Sequence, residues 1–273
     1  MIRPLLFLLL FAPQIIQAQG WLPMGARSNA MANATVALSD AWSFHHNPGA
    51  LGEVKQVCIG VSYENKFLLR ELQSQGLVYI QPLKKNGVLS FGAQTYGFEF
   101  YRTYRIGAGY SLQLSERFFA GVQMNYQGIR LSENYGSKNT ITAEMGILGK
   151  ITDNWRVGMS VFNLGRAKLA VYEDDRFTTL MRLGTSYTFS KKLTVTAEAE
   201  KNIDFAARFK SGLDYQAIEN LFFRAGFATQ PVEISFGFGY KFGVIQLDLG
   251  SAYHQQLGWS PHFSLTYQAK KKE

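Results

Sequence analysis

The stretch from Val232 to Phe242 reads Val-Glu-Ile-Ser-Phe-Gly-Phe-Gly-Tyr-Lys-Phe. Every second residue is aliphatic or aromatic, and the residues between them are small or polar. In a β-strand successive side chains point to opposite faces, so a period of two sorts these residues onto two different surfaces. The stretch therefore predicts a strand with one apolar face and one face of glycine, serine and charged residues.

The same alternation recurs along the chain, and no comparable stretch shows helical spacing with capping residues. Fourteen runs carry it, with boundaries good to a few residues. They lie near residues 55–63, 72–82, 86–96, 101–114, 117–129, 138–151, 155–163, 177–190, 193–202, 207–216, 220–229, 232–242, 244–254 and 259–268. In the second run the apolar residues 77–80 are contiguous, which leaves the facing of that strand open.

The connections between the runs alternate in length. The short ones follow every even-numbered run, and the others are mostly longer, as is typical of outer-membrane barrels. Many runs have 10–12 residues, whereas soluble strands usually have about 5–6 and a tilted membrane strand needs about 9–11. Aromatic residues gather near both ends of the runs, as at two lipid–water interfaces. These features predict an all-β protein, a transmembrane antiparallel β-barrel of about 14 strands over residues 53–273. The alternative is a soluble β-domain.

Composition narrows the functional classes. Of 273 residues only 18% are charged, against roughly 25% in an ordinary soluble domain. The net charge of +8 includes Lys270, Lys271 and Lys272 at the C-terminus, and the other charges are spread along the chain. Without a basic cluster, a nucleic-acid partner is not expected. The single cysteine, Cys58, supplies neither an internal disulfide nor a metal-binding set.

The first residues predict export. Residues 1–18 combine a positive start at Arg3, an apolar run from Leu5 to Ala12 and an alanine at Ala18, as in a secretory signal peptide. We therefore expect a bacterial outer-membrane location. Residues 19–52 then break the alternation and are rich in small side chains. Since a barrel of this size has a wide interior, we expect this segment to fold into the lumen as a hatch.

Charged residues on the polar face of the predicted strands have both signs, which suits internal ion pairs and a partly filled lumen better than an ion-selective pore. The apolar face would then contact outer-membrane lipid, where closure of the sheet pairs every backbone group. The candidate lumen-facing residues are Arg105, Glu144, Arg156, Arg182, Glu198, Glu200, Lys210, Asp214, Arg224 and Asp248.

Enzyme-like patterns are weak. His262 and Ser264 share one face of the last predicted strand, but alternation alone would place a polar pair there. His45 and His46 are adjacent and have no cysteine or acidic partner at metal-binding spacing, so polar packing in the hatch explains them better. We therefore expect no catalytic, metal or cofactor site, and no enzymatic activity.

The N-terminal segment resembles the opening of a known protein family. Its residues Gly25-Ala26-Arg27, Ala30-Met31-Ala32-Asn33-Ala34, Val36-Ala37 and Asn47-Pro48-Gly49-Ala50-Leu51 look like those of the PorV/PorQ family of Bacteroidetes. That family is similar to the wider FadL-like superfamily of outer-membrane transporters for long-chain fatty acids and aromatic hydrocarbons. The resemblance implies fourteen strands and an N-terminal hatch bearing Asn-Pro-Ala. Here the hatch motif is Asn47, Pro48 and Gly49, which departs at its third position.

The resemblance also implies function. PorV-like members act in type IX protein secretion, so the main hypothesis is a non-enzymatic component or accessory of that system. Its partners would be secretion-system proteins or exported cargo. The alternative is a FadL-like passive channel for a hydrophobic small molecule, and a barrel enzyme is the third reading. In each case we expect a monomeric barrel.

Overall fold

The chain forms one closed barrel of fourteen antiparallel strands. The computed structural model describes residues 23–84, 87–131, 136–168 and 176–270, so the predicted signal peptide at 1–18 lies outside the described residues. Among these residues, no helix is long and apolar enough to cross a membrane. The predicted fold class, an antiparallel barrel of about fourteen strands, is confirmed.

The strand bounds follow the sequence alternation closely. They are β1 Cys58–Asn65, β2 Gln73–Pro82, β3 Gly87–Gly97, β4 Tyr101–Gln113, β5 Phe118–Leu131, β6 Ser137–Lys150, β7 Trp155–Phe162, β8 Leu180–Ser190, β9 Leu193–Asn202, β10 Arg208–Ile218, β11 Leu221–Ala228, β12 Glu233–Phe242, β13 Ile245–His254 and β14 Gly258–Gln268. Each strand pairs with its neighbours in the chain, and β1 pairs with β14, with Val61 opposite Leu265. This closure leaves no free sheet edge.

The short connections predicted after even-numbered strands all lie at one end of the barrel, which we call the turn end. The opposite end, the loop end, carries the other connections, including the long one between β7 and β8. Strand β2, whose facing the sequence left open, turns Val78 and Ile80 inward, where both are buried. Its Leu77 points outward and is exposed.

The apolar face of the sheet is turned outward. On β5, Val122 and Met124 are 60% and 63% exposed, whereas Gln123 between them is 1% exposed. The outward face is apolar along the other strands as well, and the inward face is mostly polar, apart from buried apolar residues such as Val78, Ile80 and Leu148. A soluble barrel would bury its apolar face, because exposed apolar patches of this extent are rare in soluble proteins. The soluble alternative is therefore wrong.

Residues 23–57, the described part of the chain before β1, form three short helices inside the barrel wall: α1 (Ala26–Ala30) and the 3₁₀ helices η1 (Ala41–His45) and η2 (Pro48–Glu53). Two further 3₁₀ helices, η3 (Lys66–Leu68) and η4 (Arg70–Leu72), lie in the first loop. Helix α1 packs against β11–β14, and η2 packs against β3–β7. The described N-terminal segment, residues 23–57, thus contacts two opposite sides of the interior.

Candidate functional site

The Asn-Pro-Gly motif ties the N-terminal segment to the barrel wall. The side-chain nitrogen of Asn47 (Nδ2) donates to the carbonyl oxygens of Val36 at 2.7 Å and of Ile147, on β6, at 2.9 Å. Its side-chain oxygen accepts the backbone N–H of Gly49 at 3.0 Å and so caps η2. One side chain therefore starts a helix, bridges two parts of the segment and contacts the wall.

The third position of the motif has no room for a side chain. A Cβ atom at Gly49 would overlap the carbonyl group of Gly146 on the wall. Next to it, Ser111 donates its hydroxyl to the carbonyl oxygen of Pro48 at 2.6 Å. The glycine that departs from Asn-Pro-Ala is thus required by the direct approach of two backbones.

All ten charged residues expected in the lumen point inward. Eight are buried and two, Arg156 and Glu200, are half-buried. Four of them form one network on β8, β9 and β10, where Arg182 contacts Glu198 at 2.7 Å and Lys210 bridges Glu198 and Glu200. Breaking a buried pair of this kind costs about 3–5 kcal/mol, because the remaining charge loses its partner.

This first network also holds the N-terminal segment. Glu198 accepts the backbone N–H of Val36 at 2.9 Å. Arg182 donates to the carbonyl oxygens of Asn33 at 2.8 Å and His46 at 3.0 Å. The wall charges therefore satisfy backbone groups of a segment that has little regular secondary structure, as buried polar groups require.

A second network joins β10, β11 and β13 to α1. Arg224 contacts Asp214 at 3.1 Å and Asp248 at 2.7 Å. From the segment, Arg27 contacts Asp214 at 2.9 Å and Asp40 at 2.9 Å. Burial opposes the charge of Arg27, but the two carboxylates outweigh it and raise the pKa of Arg27 above its usual range. Arg27 therefore acts as a charged link between the helix and the wall.

On the opposite side, Arg105 meets the segment through a histidine. Its guanidinium donates to Nδ1 of His45 at 2.6 Å and lies 3.9 Å from Glu144. Burial, then the charge of Arg105, lowers the pKa of His45 well below its usual range. Burial, then Arg182, does the same to the pKa of His46. Both imidazoles are therefore neutral at physiological pH.

The tenth predicted residue, Arg156, belongs to neither network. It contacts Glu53 at the end of η2 at 2.9 Å, and Lys150 contacts the same carboxylate at 2.6 Å. This group lies at the turn end and fastens the last turn of η2 to β6 and β7.

The side chains of His262 and Ser264 bond to different partners and not to each other. Nε2 of His262 lies 2.6 Å from the hydroxyl of Ser62 on β1, while Ser264 accepts the backbone N–H of Ala26 at 3.1 Å. Barrel closure sets Glu64 opposite His262, and their side chains are 3.9 Å apart. Both serines face α1, so the structure uses them as wall contacts for the segment.

Sequence reasoning missed the partners that the segment supplies. Arg27 and Glu53 complete ion pairs whose wall members, Asp214 and Arg156, were predicted, and Asp40 pairs with Arg27 within the segment. A signal was present, since each is a charge within an otherwise small-residue and apolar segment. Which wall charge each one meets depends on how the segment is threaded through the barrel, and local patterns do not encode that.

Two clefts open into the interior, one at each end. The loop-end cleft, of about 260 Å³, is lined by residues that include Asn29, Phe67, Leu180 and Ala252. The turn-end cleft, of about 420 Å³, is lined by residues that include Arg27, Asp40, Trp42, Asp248 and Thr266.

A third concavity lies on the outer wall across β7–β10. It measures about 460 Å³, and its outward-facing lining includes Val157, Leu183, Ala197, Ala199 and Phe209. The two alanines create the dent, because their neighbours along the wall are larger. The dent therefore presents an apolar groove on the face that carries the exposed aliphatic side chains.

Comparison with known proteins establishes the fold. No protein-family model matches the sequence, and no curated protein matches it significantly. Among solved structures, the CymD monoaromatic hydrocarbon channel is similar with a TM-score of 0.71 and 15% identity, over 92% of this chain and 99% of that one. The Pseudomonas putida toluene transporter TodX gives 0.64 and 13%, over 93% and 98%.

A Pseudomonas aeruginosa FadL homologue is also similar, with a TM-score of 0.60 and 12% identity, over 93% of this chain and 100% of that one. These likenesses span almost the whole length of each protein. The chain therefore has the fold of FadL-like outer-membrane barrels.

Proposed function

We propose that the chain is an outer-membrane barrel that passes small hydrophobic molecules, with residues 19–52 acting as its hatch and residues 1–18 as its export signal. The observation that carries this proposal is the near full-length likeness to channels for monoaromatic hydrocarbons and toluene. It supports the hydrophobic-channel alternative over the secretion hypothesis. The type IX role stays a prediction that rests on the N-terminal motif alone.

The outward apolar face supports a place in the bilayer. Side chains such as Ile106, Val122 and Ile141 are more than half exposed at mid-strand. In water this surface would cost about 25 cal/mol for each Å² of apolar area. Hydrocarbon removes that cost, and the closed ladder leaves no backbone group unpaired in lipid.

Apolar surfaces also lie where a hydrophobic solute would need them. The loop-end cleft offers Phe67, Leu180 and Ala252 beside its charged groups. The outer groove on β7–β10 offers Leu183 and Phe209. We infer that the cleft collects the solute and that the groove receives it on the lipid side.

Uptake of radiolabelled p-xylene tests the proposal in Gram-negative cells, whose lipopolysaccharide slows hydrocarbons. Cells producing the full chain should take up p-xylene faster than cells producing an unrelated barrel of similar abundance. Equal rates would overturn the proposal. The type IX hypothesis is tested by deleting the gene in the bacterium that encodes the chain and profiling its secreted proteins. Unchanged secretion would count against that hypothesis.

A variant pair tests the groove. Ala197→Trp fills the dent and should slow uptake, because the apolar surface that receives the solute is blocked. Ile141→Trp places the same side chain on the outer face of β6, away from the groove, and should leave uptake unchanged. Equal uptake by both variants would reject the role of the groove while leaving the channel proposal open to the first test.

A further inference from the structure

The two interior clefts face each other across helix α1. Asn29 lines the loop-end cleft, and Arg27, two residues away on the same helix, lines the turn-end cleft. Strands β1, β13 and β14 contribute residues to both clefts. Helix α1 therefore separates two spaces that lie on one side of the barrel, one above the other.

Polar contacts hold α1 in place. Its first N–H groups bond to wall hydroxyls, from Gly25 to Ser62 at 3.3 Å and from Ala26 to Ser264 at 3.1 Å. Arg27 adds its ion pairs with Asp214 and Asp40, and its side chain is 21% exposed. Water can therefore reach the guanidinium of Arg27, although Asp214 on the wall is only 8% exposed.

Two of the wall residues that α1 contacts are glycines. Ala30 lies against Gly237, and the carbonyl oxygen of Ala26 lies against Gly250. Glycines without side chains let the helix approach closely, and no large wall side chain interlocks with it at these two positions. The apolar side chains that α1 itself buries, Ala26 and Ala30, are small, and the larger Met24 and Met31 lie just beyond its ends. Helix η1 instead buries Trp42 and Phe44 in an apolar cluster.

We propose that α1 is the gate of a second, axial route, and that this route conducts small hydrophilic solutes between the two clefts. The charges along it have both signs. Lys210, Glu200, Arg208 and Glu233 line the loop-end cleft, and Asp248 and Arg27 line the turn-end cleft. Such a lining accepts neutral or zwitterionic polar molecules and does not select ions of one sign. The route shares the loop-end cleft with the hydrophobic transport proposed above, but it leads to the turn-end cleft and not to the groove on the outer wall.

Liposome swelling and planar-bilayer conductance of the purified full chain test this inference. The neutral pentose arabinose serves as the probe. Arg27→Ala should raise swelling rate and open fraction by up to about fivefold, the factor that corresponds to about 1 kcal/mol. Arg27→Lys keeps a positive charge beside Asp214 and should stay near wild type.

Lys150→Ala is the matched control, since it removes an ion pair of similar exposure that joins the wall to Glu53 of η2, away from α1. It should leave both readouts unchanged. The inference would be overturned if folded Arg27→Ala showed wild-type swelling and conductance. It would also be overturned if Lys150→Ala raised both readouts as much as Arg27→Ala does.

If Arg27→Ala does not fold, Asp40→Asn provides the second variant. It weakens the same link, and its amide oxygen can still accept the N–H of Trp42 that caps η1. A rise in conductance would support the gate, and no rise would overturn it. Hydrocarbon uptake is measured separately, so failure of either proposal is recognised without reference to the other.

Discussion

The two sides of the barrel interior hold the N-terminal segment by different forces. Beside β1–β7, η1 and η2 add apolar packing and direct backbone approach, as at Trp42, Phe44 and Gly49, to polar contacts such as that of His45 with Arg105. Beside β11–β14, α1 is held by serine hydroxyls and by the ion pairs of Arg27. Apolar contacts resist displacement because their surfaces would become wet, whereas polar contacts can exchange partners with water. One segment thus has a firmly packed part and a releasable part.

The largest loss of stability is expected on substitution of Trp42. Its ring is 2% exposed and packs against Gly25 and Gly60, so Trp42→Ala should lower the free energy of unfolding by about 3–5 kcal/mol. Urea unfolding in lipid vesicles measures the change. Phe100→Ala, at an exposed position in the β3–β4 connection, should change stability little. If both variants were equally stable, the packed side would not be held by burial.

The backbone contact at Gly49 should give the next largest effect. Gly49→Val forces a side chain against the carbonyl group of Gly146 and should cost about 1–3 kcal/mol through overpacking. Gly165→Val is the control, because a Cβ atom there meets nothing within 4 Å. An unchanged unfolding midpoint for Gly49→Val would show that the segment does not press on β6.

A smaller loss is expected on the α1 side. Arg27→Ala removes two part-exposed ion pairs and should lower stability by about 0.2–1 kcal/mol. Urea unfolding in lipid vesicles measures this loss as well. A loss as large as that of Trp42→Ala would contradict the proposed difference between the α1 side and the side of η1 and η2.

The last prediction concerns pH. The pKa of His45 is lowered in the folded chain by burial and by Arg105, so the unfolded chain binds more protons below the usual histidine pKa. The contribution of the neutral imidazole is present above about pH 6.5 and should decline as the pH falls below that value. Unfolding midpoints between pH 7.5 and pH 5 should show this loss, and His45→Gln should reduce it. A pH-independent difference between the two proteins would contradict the assignment.

The strands and their facing could be predicted because both depend on local alternation. The runs at 193–202 and 232–242, for example, match β9 and β12 within one residue. Strand β2 could not be oriented, because its residues 77–80 are all apolar and only pairing with β1 and β3 decides which of them face inward.

The charged wall residues could be predicted as inward, but their partners could not. His262 meets Ser62 only because closure of the barrel sets β14 beside β1, a register that neither strand encodes alone. Arg27 meets Asp214 across 187 positions of the chain. Such pairings follow from the threading of the segment, which depends on the whole interior.

Hydrogen–deuterium exchange of the reconstituted barrel tests the central contrast most directly. The amides of Ala26–Ala30 are held beside replaceable polar contacts, and those of Ala41–Glu53 beside buried apolar and backbone contacts. Local opening should therefore make the first group exchange faster than the second at the same pH. Equal rates, or slower exchange in Ala26–Ala30, would contradict the division of the segment into a packed part and a releasable part.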